Sequence, residues 1–164
     1  MTFSLFDSRS QSLRAFVPLN EGQVGIYLCG PTVQGLPHVG HLRSALVYDQ
    51  LRRWLEVKGF DVTLVRNVTD IDDKVLENAD NTGEEWWALA YRFEVEFNKA
   101  YSLLGFKPLT YEPRATGAIP EMIALIERLI EAGYAYRAED DSANVYFAAD
   151  KWADYGELKI GRAS

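Results

Sequence analysis

The stretch CGPTVQGLPHVGH, residues 29–41, decides how this chain folds. It follows an apolar run at residues 24–28, which is typical of a fully buried strand. It precedes residues 41–58, whose apolar positions recur with helical spacing and which Gly59 closes. A strand, a turn of small residues and a helix place a ligand at the carboxyl end of the strand, where free N–H groups at the helix start favour an anion. The stretch therefore predicts a site for a phosphate-bearing substrate.

A second buried strand at residues 62–66 follows that helix. Strand, helix and strand within about forty residues predict two parallel strands joined by a right-handed crossover. The next turn, NVTDIDDK at residues 67–74, again comes just after a strand and leads into a helix. Both turns are therefore expected to open on the same edge of the sheet and to face one ligand.

The rest of the chain predicts further helices and strands. They are, in chain order, a strand at 13–17, a helix at 85–104, a helix from Thr116, and strands at 134–137 and 144–148. Thr82 and Glu85 match a capping box, which predicts that Thr82 caps the helix at 85–104. Pro120 is tolerated in the first turn of the following helix.

Composition limits the class of protein. A chain of 164 residues with 48% hydrophobic residues can bury one good core, and its net charge of −7 argues against strong nucleic-acid binding by this piece alone. No apolar run approaches the roughly 18 residues of a membrane span, and the first residues do not resemble a secretory signal. With a single cysteine no internal disulfide is possible, so a cytoplasmic location without membrane contact is expected.

Three stretches together resemble one enzyme family. HVGH at residues 38–41 resembles the HIGH motif of class I aminoacyl-tRNA synthetases. Within CGPTVQGLPHVGH at 29–41, and followed in order by RNVTDIDDK at 66–74 and YEPRAT at 111–116, it resembles cysteinyl-tRNA synthetase of the bacterial, actinobacterial type. The resemblance extends from about residue 5 to residue 158.

The resemblance implies a fold and a domain organisation. The expected fold is α/β, a Rossmann-type (HUP-like) parallel sheet flanked by helices. Residues 1–114 would form the first half of the catalytic domain, and residues 115–164 would begin an inserted connective domain. The chain stops before the second Rossmann half and the lysine-rich KMSKS loop, so an N-terminal catalytic fragment is expected.

The resemblance also implies a reaction. ATP, with Mg²⁺, would activate L-cysteine to cysteinyl adenylate, and the cysteinyl group would pass to tRNA(Cys), with activity impaired in a chain that lacks the lysine-rich loop. Two alternatives stay open: a mycothiol-pathway cysteine ligase, which forms the same adenylate, and a non-catalytic nucleotide-binding paralog. The mycothiol-pathway ligase carries CGIT and DVDDP where this chain has CGPT at 29–32 and DIDDK at 70–74, which favours the synthetase.

The resemblance assigns roles to individual residues. His38 and His41 would act in catalysis by stabilising charge on the ATP α-phosphate. The residues that would bind ATP are Thr32, His38, Gly40 and His41. The residues that would bind cysteine and its adenylate are Cys29, Gly30, Thr32, Ser44, Asn67 and Thr69. Cys29 would also supply one of four ligands to Zn²⁺, the other three lying downstream of this chain.

Each assignment has a simpler alternative in the residues themselves. Cys29 could be a small buried apolar side chain, and the two histidines could merely cap backbone groups at the helix start. Thr32 and Thr69 could serve the geometry of their turns. The carboxylates of DIDD at 70–73 could hold a hard cation, although helix N-capping suits their position better.

A catalytic half without its partner half is expected to leave apolar surface open. The residues expected to border that surface are Leu42, Leu46, Trp54, Leu55 and the strand at 62–65. Soluble monomers rarely expose large apolar patches, so self-association of this chain is expected.

Overall fold

A computed structural model describes residues 3–157 of the chain as two compact units. Pro18–Ile119 forms the larger unit, and residues 3–17 with 120–157 form the described part of the smaller one. The strands are β1 (Ser4–Asp7), β2 (Ser12–Ala15), β3 (Gln23–Leu28), β4 (Asp61–Arg66), β5 (Ala135–Arg137) and β6 (Val145–Phe147). The helices are α1 (Val39–Val57), α2 (Asp73–Thr82), α3 (Trp86–Leu103) and α4 (Ile119–Glu131). The predicted division into residues 1–114 and 115–164 stays a prediction.

The larger unit is built on a β3–α1–β4 motif. β3 and β4 pair in parallel, in a register that places Leu28 beside Arg66, which confirms the predicted pairing. Burial alternates along both strands, so that Val62 and Leu64 are buried while Tyr27 is exposed. The prediction of fully buried strands is therefore wrong, because within this unit only one face of the sheet is covered.

An extended segment at residues 110–115 runs parallel to β4 and was not predicted. Tyr111 and Arg114 each form an isolated parallel bridge, to Val65 and Val68 respectively. The Val68 N–H donates to the Pro113 carbonyl at 2.8 Å. Pro113 itself has no N–H to donate, so the pairing is interrupted, and its sequence lacks the apolar alternation by which strands are recognised.

The core of the larger unit lies among α1, α2, α3 and the turns that follow β3 and β4. Its buried residues are Val33, Ala45, Val68, Val75, Ala79, Leu89, Ala90, Phe97 and Tyr101. Leu55 of α1 is also buried, with 1% of its surface exposed. None of the helices within residues 3–157 combines the length and apolar character needed to cross a membrane.

The start of α3 corrects one detail of the sequence analysis. The helix is found close to its predicted bounds, but Thr82 does not cap it. Thr82 is the last residue of α2, where its hydroxyl donates to the Asn78 carbonyl at 3.0 Å, and Gly83 ends that helix with a left-handed φ of 68°. Glu85, at the N-cap position of α3, makes no side-chain capping bond. The capping-box prediction is wrong because its two residues belong to different elements.

The smaller unit contains two antiparallel pairs, β1 with β2 and β5 with β6, and helix α4. The strands predicted at 13–17, 134–137 and 144–148 are found within two residues of those bounds. β1 was missed because it is only four residues long and mostly exposed, with no apolar run long enough to mark a strand. Pro120 lies in the first turn of α4, as predicted.

The surface expected to drive self-association is only partly where it was predicted. Leu55, Val62 and Leu64 are buried, because they lie on the core side of α1 and β4. Leu46 and Trp54 are exposed by 40% and 39%, in agreement with the prediction. Other exposed apolar side chains of this unit include Tyr27, Leu36, Val39, Val47, Val57, Trp87, Tyr91 and Leu103.

We predict that the 164-residue chain self-associates at micromolar concentrations through these apolar side chains. Because the chain is net acidic, high salt should screen its repulsion and preserve or strengthen the association. Sedimentation velocity over a concentration series at low and high salt measures this. A single monomeric species at every concentration would contradict the prediction.

Candidate active site

The first turn of α1 is capped by two histidines. His38 is the N-cap residue, and its Nδ1 accepts the Gly40 N–H at 3.1 Å. His41 Nδ1 accepts the His38 N–H at 3.3 Å, which completes a reciprocal capping box. A ring nitrogen that accepts a hydrogen bond carries no proton, so the proton of each neutral ring lies on Nε2. The simpler alternative is therefore confirmed, since both histidines cap backbone N–H groups at the helix start. This capping still leaves an Nε2–H on each ring that can donate a hydrogen bond.

The two rings stack on each other, with centroids 3.8 Å apart and planes 26° from parallel. Burial lowers the pKa of His41, and the neighbouring His38 lowers it further. His41 is therefore neutral at pH 7. A Cβ at Gly40 would lie 3.0 Å from Cε1 of His38, so an added side chain would press on that ring.

The turn after β3 and the turn after β4 meet at Gly30. The Gly30 N–H donates to Oδ1 of Asn67 at 2.9 Å, and Asn67 Nδ2 donates to Oγ1 of Thr69 at 3.2 Å. Thr32 and Thr69 form a parallel bridge, and the Thr69 N–H donates to the Pro31 carbonyl at 3.0 Å. The prediction that both turns share one edge of the sheet is confirmed.

A pocket of about 130 Å³ lies between these turns and the start of α1. Its walls are formed by Leu28, Cys29, Gly30, Pro31, Gly40, His41, Ser44, Ala45, Arg66 and Tyr101. Five of the residues predicted for the site line it: Cys29, Gly30, Gly40, His41 and Ser44. The other four do not line it: His38 supports His41, and Thr32, Asn67 and Thr69 hold the turns together.

Cys29 is exposed at the end of β3, so the alternative of a buried apolar cysteine is wrong. Its Sγ has a weak contact with the Gly30 carbonyl at 3.7 Å. Across residues 3–157 no three His, Cys, Asp or Glu side chains are grouped as a metal site would need. Cys29 fits zinc as one thiolate ligand, but the described residues by themselves do not form a zinc site.

The carboxylates of the second turn have separate structural roles. Asp72 caps α2, since its Oδ1 accepts the Lys74 N–H at 3.0 Å, and Asp73 lies in the first turn of that helix. Asp70 is buried and accepts both the N–H and the hydroxyl of Thr116, at 3.0 and 2.5 Å. Capping is therefore confirmed for Asp72, whereas the two hydrogen bonds that Asp70 accepts from Thr116 were not predicted.

The pocket also uses two residues that the sequence analysis missed. Arg66 is 5% exposed, and its guanidinium carbon lies 4.0 Å from the centre of the Tyr101 ring. Arg66 Nη2 donates to Glu112 at 2.5 Å. Burial raises the pKa of Tyr101, Glu112 adds to the rise, and Arg66 opposes it. An arginine ending an apolar strand was a signal for Arg66, but nothing local marks Tyr101, which lies on α3.

We predict that Gly30→Ala destabilises the chain strongly. The added Cβ would lie 1.5 Å from the Asn67 carbonyl oxygen, so the two turns would have to separate, at a cost of about 2–4 kcal/mol in unfolding free energy. Gly35→Ala is the matched control, because a Cβ there meets nothing within 4 Å. Denaturant unfolding of both variants measures the difference, and equal stabilities would contradict the prediction.

The sequence matches a known family model and known relatives. Residues 15–163 match the model of the class I (C) tRNA synthetase catalytic domain. Cysteine–tRNA ligase of Clavibacter sepedonicus is 64% identical over the whole chain, which covers 35% of that protein. The cysteine–tRNA ligase of Leifsonia xyli subsp. xyli is 62% identical over 96% of the chain and 34% of its own length. The chain thus spans about a third of these relatives' length.

Solved structures of class I synthetases share the fold. Mycobacterium tuberculosis methionyl-tRNA synthetase, in complex with methionyl-adenylate, matches 68% of this chain and 23% of its own, with a TM-score of 0.60 and 24% identity. The LeuRS of Agrobacterium radiobacter K84, in a ternary complex with tRNA and LeuAMS, matches 74% of this chain and 16% of its own. That match has a TM-score of 0.63 and 20% identity. These likenesses confirm the expected α/β, partly Rossmann-like fold.

Proposed function

Because the chain belongs to the cysteine–tRNA ligase family of class I synthetases, we propose that it forms part of a catalytic domain that activates L-cysteine with ATP and transfers it to tRNA(Cys). The observation that carries the proposal is the histidine capping box beside the exposed Cys29 and the pocket between them. That arrangement combines donors for a phosphate with a pocket sized for a small substrate.

His38 and His41 act as hydrogen-bond donors in this proposal. Their capping bonds hold Nδ1, so each neutral ring presents Nε2–H, and the first N–H groups of α1 add a partial positive charge. Negative charge that develops on the ATP α-phosphate as pyrophosphate leaves would be stabilised by these fixed donors. ATP enters as a substrate with Mg²⁺.

A role as general base does not suit His41. Its Nδ1 is already an acceptor for the His38 N–H, and its Nε2 carries the proton. Because its pKa is lowered, the ring is neutral and carries no second proton that it could transfer as a general acid. Catalysis would therefore come from positioning and electrostatic stabilisation.

We predict that His41→Ala lowers cysteine-dependent ATP–pyrophosphate exchange by about 100-fold or more, because a donor to developing charge is lost. The assay uses the full polypeptide of the source gene that contains this chain, and a melting curve reports whether the variant is folded. Asp72→Asn is the control: it keeps an N-cap acceptor for α2 and should leave exchange unchanged. Loss of exchange in Asp72→Asn would instead support the cation alternative.

The 164-residue chain alone is expected to exchange pyrophosphate at or near background. The resemblance places the lysine-rich loop outside this chain, and the loss of such a charge contact costs orders of magnitude in rate. The same exchange assay, run on the isolated chain with L-cysteine, checks this. Robust exchange would show that residues 1–164 suffice for adenylate formation.

In the proposed function Cys29 would supply one thiolate ligand to Zn²⁺, and the other ligands would come from outside this chain. One ligand holds Zn²⁺ poorly, since zinc sites in proteins use three or four protein ligands. We therefore expect zinc well below one equivalent in the isolated chain by elemental analysis. One equivalent that is lost in both Cys29→Ser and His41→Ala would contradict this account.

The two alternatives differ from the proposal in the acceptor. A mycothiol-pathway ligase would pass the cysteinyl group to an amino sugar, and a non-catalytic paralog would form no cysteinyl adenylate. Charging of tRNA(Cys) by the full polypeptide therefore separates the proposal from both alternatives, and cysteine-dependent ATP–pyrophosphate exchange separates the two alternatives from each other. The names of the relatives favour the tRNA acceptor.

A further inference from the structure

The candidate site adjoins a second, larger cavity. This cavity of about 410 Å³ lies among β4, α1, α3 and residues 106–112. It shares four wall residues with the pocket of about 130 Å³: Leu28, Ala45, Arg66 and Tyr101. Among these four, only Arg66 and Tyr101 have long side chains, so these two form most of the partition between the spaces.

The partition is held firmly from the side of the larger cavity. Glu112, which lines that cavity and not the small pocket, accepts a hydrogen bond from Arg66 and keeps the guanidinium against the Tyr101 ring. Phe97 and Phe106 contact the same ring, with centroids 6.0 and 5.7 Å away. Packing of this kind leaves Tyr101 little freedom to move aside.

Arg66 is an unusual residue for an ordinary core wall. Its side chain is 6% exposed, and its Nε has no hydrogen-bond partner among the described residues. A buried donor without a partner is unfavourable, and an apolar side chain would fill the same space without that cost. Arg66 is therefore better explained by the contact of its planar guanidinium with the Tyr101 ring, which holds that ring in place, than by a contribution to the free energy of unfolding.

The small pocket is lined by residues of two elements that differ in chemistry. His41 and Gly40 come from the start of α1, where a phosphate is proposed to bind, and Cys29 and Gly30 come directly after the end of β3. The pocket, of about 130 Å³, is small, and the Arg66–Tyr101 partition forms part of its wall.

We propose that the Arg66–Tyr101 partition sets the depth of the amino-acid pocket, and that Tyr101 is a specificity-determining residue that excludes thiol amino acids longer than cysteine. The proposal rests on the proposed function. An added methylene against a wall that cannot yield is discriminated by about 10–200-fold in kcat/KM. If the wall is shortened, the added group can enter the larger cavity.

The test compares L-cysteine with L-homocysteine, which keeps the thiol and is one methylene longer. Pyrophosphate exchange by the full polypeptide gives kcat/KM for both. In Tyr101→Leu we expect the homocysteine-to-cysteine ratio to rise by about 10-fold or more, mainly through a lower KM for homocysteine. Tyr101→Phe should keep the wild-type ratio, because the ring and its contact with Arg66 remain. General damage to the fold would lower both values together and leave the ratio unchanged.

A second variant keeps the test decisive if Tyr101→Leu does not fold. Glu112→Gln weakens the hydrogen bond that holds the Arg66 guanidinium, and Glu112 lies outside the small pocket. This variant should also raise the homocysteine-to-cysteine ratio of kcat/KM, by a smaller factor than Tyr101→Leu. Glu94→Gln is the matched control, because Glu94 pairs with Arg114 at 2.8 Å and lines neither cavity. An active wild-type protein with an unchanged ratio in every folded variant would overturn the inference alone. A wild-type protein without cysteine-dependent exchange would overturn the proposed function and this inference with it.

Discussion

The close approach of Gly30 to the backbone of Asn67 is the constraint on which the rest of the site depends. It continues the pairing of β3 and β4 beyond the ends of the strands, so that two turns distant in sequence become one surface. No side chain fits at Gly30, since a Cβ would overlap the Asn67 carbonyl oxygen. The position of Cys29 follows from this contact, because Cys29 is the link between β3 and Gly30.

The start of α1 shows how one pair of side chains serves structure and chemistry together. An aspartate would cap the helix as well as His38 does, but an ionised carboxylate has no donor to offer a ligand. Because Nδ1 of each histidine accepts a backbone N–H, the tautomer of each ring is determined by the fold rather than by a ligand. Capping and phosphate binding are therefore compatible roles for His38 and His41.

The segment at residues 110–116 joins parts of the site that the chain separates. It pairs with β4, and it carries Glu112 to Arg66 and Thr116 to Asp70. The stretch YEPRAT, which contributes to the family resemblance, thus lies directly against the stretch RNVTDIDDK in the folded unit. Glu112 thereby holds Arg66, which lines the pocket, and Thr116 holds the second turn at Asp70.

Local sequence determined the β3–α1–β4 motif, the parallel pairing and the cap at Asp72, because periodicity and capping act between residues close in the chain. It also brought together the predicted residues around the pocket, since the carboxyl ends of parallel strands meet at one edge. Only the tertiary structure decided that Leu55 is buried and that Tyr101 faces Arg66. Those outcomes depend on which distant elements pack together, and a pattern within one segment carries no information about its partner.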